Sequence, residues 1–417
     1  MANYGAPGVY VVEVPGPKTV QAVGTSVAAF LGEAPDAGAH LNEAVAISNW
    51  SQFCAEFAAG DNVRSTFLSH AVNGFLQNGG GRAFIVNIAD GDAIAGTDRP
   101  RSGLKLLDEI DEVSIVAAPG RRDPASHEAL LSYCERAGNC VAICDPPPDV
   151  KNTELLKIVE TAAAPSPVKG KDKDKDKDKD AGGAAADAAP KSGGGLRPRL
   201  SLGGYGTFYF PWLYVADALN PKGDLVAVPP SGHMAGIWAR TDVKRGVHKA
   251  PANETVAGAL NLTYRVTSAE QADLNSKGVN VTRFFPTEGM LVWGARTLAE
   301  ESSEWRYLNV RRLVIMIEES IKRATRWVVF EPNDRTLWKT IRSEITGFLT
   351  SIYRDGALMG ATAEEAFFVK CDEETNPKES IDMGQVNTVI GIAPVKPAEF
   401  VIFKIGQFAE GSKVEAL

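Results

Sequence analysis

The sequence predicts a mixed α/β protein of two or three domains, on three observations. Strand, helix and strand signals alternate between Val27 and Cys144, the order of an α/β layer with parallel pairing. Two long amphipathic helices and three further strand candidates fill the last part of the chain. Between these regions lies a stretch that cannot build a core: Lys171 to Asp180 is five Lys-Asp repeats, flanked by Gly, Ala and Pro. A length of 417 residues agrees, since it exceeds what a single core usually serves.

In chain order, Val9-Tyr10-Val11-Val12-Glu13-Val14 is β-rich and bracketed by Pro7 and Pro15, so it reads as a strand with no local partner. Val27 to Leu31 and Val45 to Ile47 follow as strands, then a helix near Trp50 to Phe57. Thr66 to Gln77 is a second helix, closed by Asn78-Gly79-Gly80-Gly81. Ala83 to Ile88 reads as a buried strand, Val113 to Ala118 as another, His127 to Ala137 as a helix, and Cys140 to Cys144 as a strand stopped by Pro146-Pro147-Pro148. Beyond the repeats, Tyr205 to Val215 is aromatic and β-prone. Ser302 to Ala324 is an amphipathic helix with Leu313, Ile317 and Ile321 on one stripe and with Glu318/Lys322 and Glu319/Arg323 spaced for ion pairs. A further helix carries Leu337, Ile341, Ile345, Phe348 and Ile352 before Gly356 ends it. Strand candidates then fall at Ala366 to Cys371, Val386 to Ile392 and Phe400 to Ile405, the last set off by Pro394 and Pro397 as a stiff extended hinge.

Composition excludes several function classes. With 44% hydrophobic residues, 23% charged residues and a net charge of -8, the chain lacks the basic excess of a phosphate-binding surface, so no nucleic acid is expected as a direct partner. No basic segment followed by an apolar run stands at the start, and no stretch reaches the roughly 20 apolar residues of a membrane span, so cytosolic synthesis without membrane insertion is expected. Five cysteines without C-x-x-C spacing predict reduced, mostly buried thiols.

The motifs that could carry chemistry fall short of it. Gly79-Gly80-Gly81 follows a helix and precedes a strand, the reverse of a phosphate loop. Ser231-Gly232-His233 lacks the Gly-x-Ser-x-Gly of a nucleophile elbow, and Pro229-Pro230 reads as incompatible with a strand-to-helix turn. His127, Cys134, Cys140 and Cys144 match no common zinc spacing. Asp108, Glu109, Asp111 and Glu112 read as a solvated loop before a strand. No catalytic residue, cofactor or metal ligand is expected. What remains is a proline-hinged strand at each end of the chain. Such a strand must find a sheet edge, and if that edge belongs to a neighbour, assembly is head-to-tail and builds rings or helical filaments.

At this point the residues resemble a known family, the contractile tail sheath proteins of myophages, R-type pyocins and extracellular contractile injection systems, along nearly the whole chain except the Lys-Asp insertion. The telling segments are Pro7-Gly8-Val9-Tyr10-Val11, Arg82-Ala83-Phe84-Ile85-Val86, and Pro229-Pro230-Ser231-Gly232-His233-Met234-Ala235-Gly236. Stronger still are Arg245 to Glu254, Val292-Trp293-Gly294-Ala295-Arg296-Thr297-Leu298, Asn309-Val310-Arg311-Arg312-Leu313 and Phe330-Glu331-Pro332-Asn333-Asp334. One departure is His248, where the family pattern leads us to expect an aromatic such as Trp.

The resemblance implies a conserved inner domain lining the sheath, built from an N-terminal arm (1–25) plus residues 201–395. An outward α/β domain (26–164) would be inserted into it and a C-terminal strand arm (396–417) would follow, while the loop at 165–200 is expected to be disordered on composition alone. It implies intersubunit strand donors at Val9, Tyr10, Val11, Val12 and Val14 and at Phe400, Val401, Ile402, Phe403 and Ile405. The implied partners are copies of the same chain in stacked hexameric rings, an inner tube protein, and baseplate and terminator or cap proteins. Assembly would be cytoplasmic, in a phage-tail-like particle that could be released from its producer. Arg311, Arg312, Glu318 and Glu319 are candidates for charges that change partners on contraction, against a plainer reading as helix-surface pairs. Two other readings stay open: a non-contractile component of the same particle, and an α/β hydrolase-like enzyme using Ser231 or a thiol.

Overall fold

The computed structural model describes residues 20–60, 63–151, 154–161, 195–220 and 222–402. The predicted N-terminal strand Val9 to Val14, the Lys-Asp repeats, and Phe403 and Ile405 lie outside the described residues.

A nine-stranded sheet organises residues 28–292. Its centre is parallel: β1 (Ala28–Gly32) lies between β3 (Ala83–Asn87) and β4 (Ile115–Ala117), followed by β5 (Val141–Cys144), β6 (Gly206–Phe210) and β11 (Val279–Phe285). The edges are antiparallel, with β2 (Ala44–Ile47) on one side and β12 (Gly289–Val292) and β9 (Glu254–Thr255) on the other. The spatial order is therefore β2, β3, β1, β4, β5, β6, β11, β12, β9. A second, antiparallel sheet has β7 (Leu213–Ala216) between β8 (Leu225–Val228) and β10 (Ala259–Leu262).

The central strands read as continuous apolar runs because both faces are covered. Along β1, Phe30 points into one core with Phe75, Tyr209 and Trp238, while Ala29 and Leu31 point into the other with Val86, Leu131 and Phe208. The first core is roofed by α1 (Trp50–Phe57), α2 (Phe67–Gln77) and, after α3 (Pro124–Ala137) and short α4 (Leu155–Val159) on the other face, by α5 (Ser231–Arg245). Burial of each large side chain in these layers contributes roughly 1.5–3 kcal/mol. The second face is completed by a 3-10 turn at Gly103–Glu109 and by α6 (Ser268–Ser276) through Leu274.

Helices α2 and α5 touch backbone to backbone, which only small residues allow. A Cβ on Gly232 would stand 2.3 Å from the Ala71 backbone, and one on Gly236 would stand 2.4 Å from the Phe75 carbonyl oxygen. Gly236→Val should therefore lower stability by about 2–3 kcal/mol through overpacking, read as a shift in urea midpoint. An unchanged midpoint would show that the two helices can part at no cost.

The C-terminal region forms a third core. α7 (Leu308–Ala324) and α8 (Arg335–Arg354) pack Leu313, Met316, Ile317, Leu337, Ile341 and Phe348 together, and a two-stranded sheet of β13 (Phe367–Lys370) and β14 (Val389–Ile392) lies beside them. α7 also sends Leu308 and Ile315 into the first core of the large sheet, so the two regions share a helix.

Three expectations are revised. The sheet crosses the 165–200 interval without a break, since Ala142, Ile143 and Cys144 pair directly with Gly206, Thr207 and Phe208. A break in composition along the chain need not be a break in the sheet. The helix expected from Ser302 begins at Leu308, because Ser303 caps a separate 3-10 turn (Glu304–Arg306) and Tyr307 bridges to Arg296. The strand-to-helix turn judged incompatible with Pro229-Pro230 exists, β8 running through the prolines into α5, where Pro230 needs no N–H donor. Asp108 to Glu112 are the expected solvated stretch before a strand, with surface partners: Asp108 meets Arg136, Glu109 Arg101 and Glu112 Arg82, while Asp111 meets Arg326 and accepts from Arg323 of α7 at its carbonyl.

Candidate assembly interface

Two structural features at the C-terminal end could join one subunit to another. β13 and β14 pair only with each other among the described residues, leaving an open edge on either side, and Phe368 and Val389 are exposed there. A two-stranded sheet is marginal alone and gains from added strands. The second feature is the chain after β14, whose last described residues, Phe400, Val401 and Ile402, are 71%, 70% and 81% exposed. Among the described residues, these three belong to no strand.

The hinge predicted at Pro394 and Pro397 is instead held to the body. Ala393 donates to Ala366 and accepts from Met359, at 2.9 and 2.7 Å; Val395 donates to Ala357 at 3.1 Å. Asn309 of the Asn-Val-Arg-Arg segment donates through Nδ2 to the carbonyls of Val395 (3.1 Å) and His248 (2.8 Å). His248, the residue departing from the family pattern, thus takes part through its backbone, and its ring is kept less basic than usual chiefly by burial.

Glu399 ends the held segment. Its carboxylate accepts from Arg296 twice, Nε to Oε1 at 2.9 Å and Nη2 to Oε2 at 2.6 Å, and Arg306 and Tyr307 reach Oε2 at 3.4 and 3.3 Å. Arg296 is 3% exposed and is itself held by Asn280 of β11, whose side chain brackets its backbone N–H and carbonyl at 2.7 and 2.8 Å. Burial pushes the Glu399 carboxyl upward, but the Arg296 hydrogen bonds and the arginine charges outweigh it and hold it below its usual range. No sequence signal marked Glu399; Arg296 could be found as the charge inside an otherwise apolar family motif.

The four candidate switch charges divide. Arg312 is 3% exposed and meets Asp242 of α5 at 2.9 and 2.5 Å, over the Trp238 ring. Arg311 is buried between the rings of Tyr205 and Trp305, 4.6 and 4.2 Å from their centroids, and reaches Glu318 at 3.0 Å. Lys322 pairs with Glu319. The predicted i,i+4 pairs do not form, because buried Arg311 draws Glu318 and because Arg323 turns to Asp111.

The chemical alternatives lack access. Ser231 donates to Asp145 at 2.7 Å and His127 is hydrogen-bonded to the Asp145 carbonyl at 3.1 Å, and all three residues are buried. Cys134, Cys140 and Cys144 are buried free thiols, and among the described residues no cluster of three or more His, Cys, Asp or Glu could hold a metal. No helix of the described residues is long and apolar enough to cross a membrane.

Comparison with known proteins agrees along the chain. Residues 101–298 match the phage tail sheath protein central domain and residues 300–408 the phage tail sheath C-terminal domain. The tail sheath protein of Vibrio phage KVP40 is 29% identical over 177 residues, covering 42% of this chain and 26% of that protein. A putative prophage major tail sheath protein of Pseudomonas aeruginosa is 27% identical over 182 residues, 42% of this chain and 45% of that protein. The matched stretches thus span well under two thirds of these relatives. Solved structures match over far more: the PVC sheath complex of an extracellular contractile injection system, contracted, at 28% identity and a TM-score of 0.73 over 98% of this chain and 99% of that one. The contracted helical sheath of the anti-feeding prophage gives 28% and 0.71 over 98% and 100%. Sheath proteins are structural and not enzymes, and this chain belongs to the phage tail sheath family.

Proposed function

We propose that the chain is the subunit of a contractile sheath, polymerising as stacked hexameric rings around an inner tube and passing from a metastable extended state to a compact one that drives the tube through a target envelope. The observation that carries this reading is that one subunit presents both an exposed apolar segment, Phe400 to Ile402, and a two-stranded sheet with no further strand on it among the described residues. Donating the arm to the next subunit's edge is a head-to-tail contact, which propagates. Residues 9–14 would supply the other added strand. The stored free energy is a difference between two packings of the same subunits, with no nucleotide required. The large sheet would face outward and the C-terminal core inward against the tube, with baseplate and terminator proteins at the two ends. Assembly in the cytoplasm, with or without release, fits this reading.

Arg311 and Arg312 act within the subunit in this scheme. A guanidinium as buried as Arg312 can meet a neighbour only if α7 leaves α5, so these charges keep each subunit rigid while the links between subunits move. The test is negative-stain electron microscopy of the full-length protein, alone and with inner tube protein. Hollow striated cylinders are expected. Dispersed particles under both conditions would overturn the reading, and static cylinders with a single helical pitch would favour a non-contractile component.

A further inference from the structure

We infer that Glu399 is the anchor of the C-terminal arm: Arg296, Arg306 and Tyr307 grip its carboxylate so that the chain leaves the body at Phe400 and nowhere earlier. The inference rests on the sheath reading for its consequence and on geometry alone for its existence.

The change along the chain is abrupt. Residues 393–395 are held by backbone hydrogen bonds to Ala357, Met359 and Ala366 and by the Asn309 side chain. Glu399 is held by the four contacts described above. One residue later Phe400 is 71% exposed. Paired hydrogen bonds between a guanidinium and a carboxylate fix orientation as well as distance, so the grip sets the direction in which the arm sets out. Arg296 also donates to the Asn275 carbonyl at 2.9 Å and is tied to β11 through Asn280. A pull on an arm seated in a neighbour would therefore pass into the large sheet and bypass the proline-containing linker. The Val-Trp-Gly-Ala-Arg-Thr-Leu segment thereby acquires a physical role, since its arginine joins the arm to the sheet.

The experiment compares the full-length chain with Glu399→Gln, which keeps the side chain's shape and removes its charge, and with Tyr307→Phe, which removes one weak contact and is expected to fold normally. A nitroxide on Ile402→Cys, in a Cys54→Ala background because Cys54 is the one cysteine not fully buried, reports the arm's motion by its spectral line shape. Sheath assembly is followed in parallel as the lowest protein concentration that gives cylinders. Glu399→Gln is expected to narrow the lines and raise that concentration roughly tenfold, the factor matching loss of one charge-assisted hydrogen bond. Tyr307→Phe should move both readouts the same way by less. Equal line shapes, or altered line shapes with unaltered assembly, would overturn the inference. If the unsubstituted protein forms no cylinders, the sheath reading fails while the line shape still decides whether the anchor exists. If Glu399→Gln does not fold, Tyr307→Phe carries the same two decisions.

Discussion

Asp242→Ala is expected to lower the free energy of unfolding by about 3–5 kcal/mol, among the largest effects of any single substitution in this chain. Asp242 meets Arg312 through both carboxylate oxygens and accepts from Thr25 Oγ1 at 2.6 Å, while Arg312 donates to the Thr25 carbonyl at 2.8 Å. The two charged side chains are 3% and 6% exposed. Truncating the acid leaves a guanidinium in a pocket floored by Trp238, with its charge unmatched and little water to solvate it. The balance differs when both charges go: Arg312→Met with Asp242→Leu fills the space with apolar atoms and should recover most of the loss. Urea unfolding of the two single variants and the double variant checks this. A loss below about 1 kcal/mol for Asp242→Ala would place the pair among surface ion pairs, which contribute that little. Because α7 bridges the two core regions, these variants should also loosen how the C-terminal core sits on the large sheet.

The chain of apolar strands was the most legible part of the sequence. Parallel strands covered on both faces are written as unbroken runs such as Ala83 to Val86, and their bounding helices carry clean stops, as at Asn78 and Gly356. Residues 231–245 form a helix that periodicity did not announce, because α5 is buried on nearly all sides in its first half and shows no polar stripe to contrast with. α6 went unread as well: its serine- and asparagine-containing helix has almost no apolar face, and its one sequence signal is the Thr267/Glu270 capping box. The sequence suggested proline-bounded strands at both ends, but it did not mark Glu399, where the described C-terminal segment is last held to the body. Prolines suggest where a chain is stiff, whereas release depends on long-range partners, here Arg296 more than a hundred residues upstream of Glu399. For the same reason Arg311 and Arg312 look like surface charges in sequence: nothing local shows Tyr205, Trp305 and Asp242 closing over them.

Acid should destabilise the core through two buried histidines. His233 of α5 lies against Gly74 of α2, and burial, helped by nearby His70, holds its pKa at about 4. His127 of α3 is likewise held at about 4 by burial, against the opposing effect of its hydrogen bond to the Asp145 carbonyl. In the unfolded chain both titrate near the ordinary 6.5. Between 6.5 and 4 the unfolded state therefore binds protons that the native state refuses, and stability falls with pH by about 3 kcal/mol per histidine. Asp145 works the other way. Burial raises its carboxyl to about 7 despite hydrogen bonds from Ser231 and Gly120, so the native state takes up that proton first and gains stability as pH falls from 7 towards 3.8. The whole protein thus shows a shallower acid loss than the histidines alone would give, and a single variant isolates one of them. His233→Gln carries a fixed packing change at every pH, so its stability difference from the parent should narrow by about 3 kcal/mol between pH 7 and pH 4 in urea unfolding. Parallel curves would mean that His233 is protonated in the folded core after all, which would require α2 and α5 to open to water where Gly232 and Gly236 now bring their backbones together.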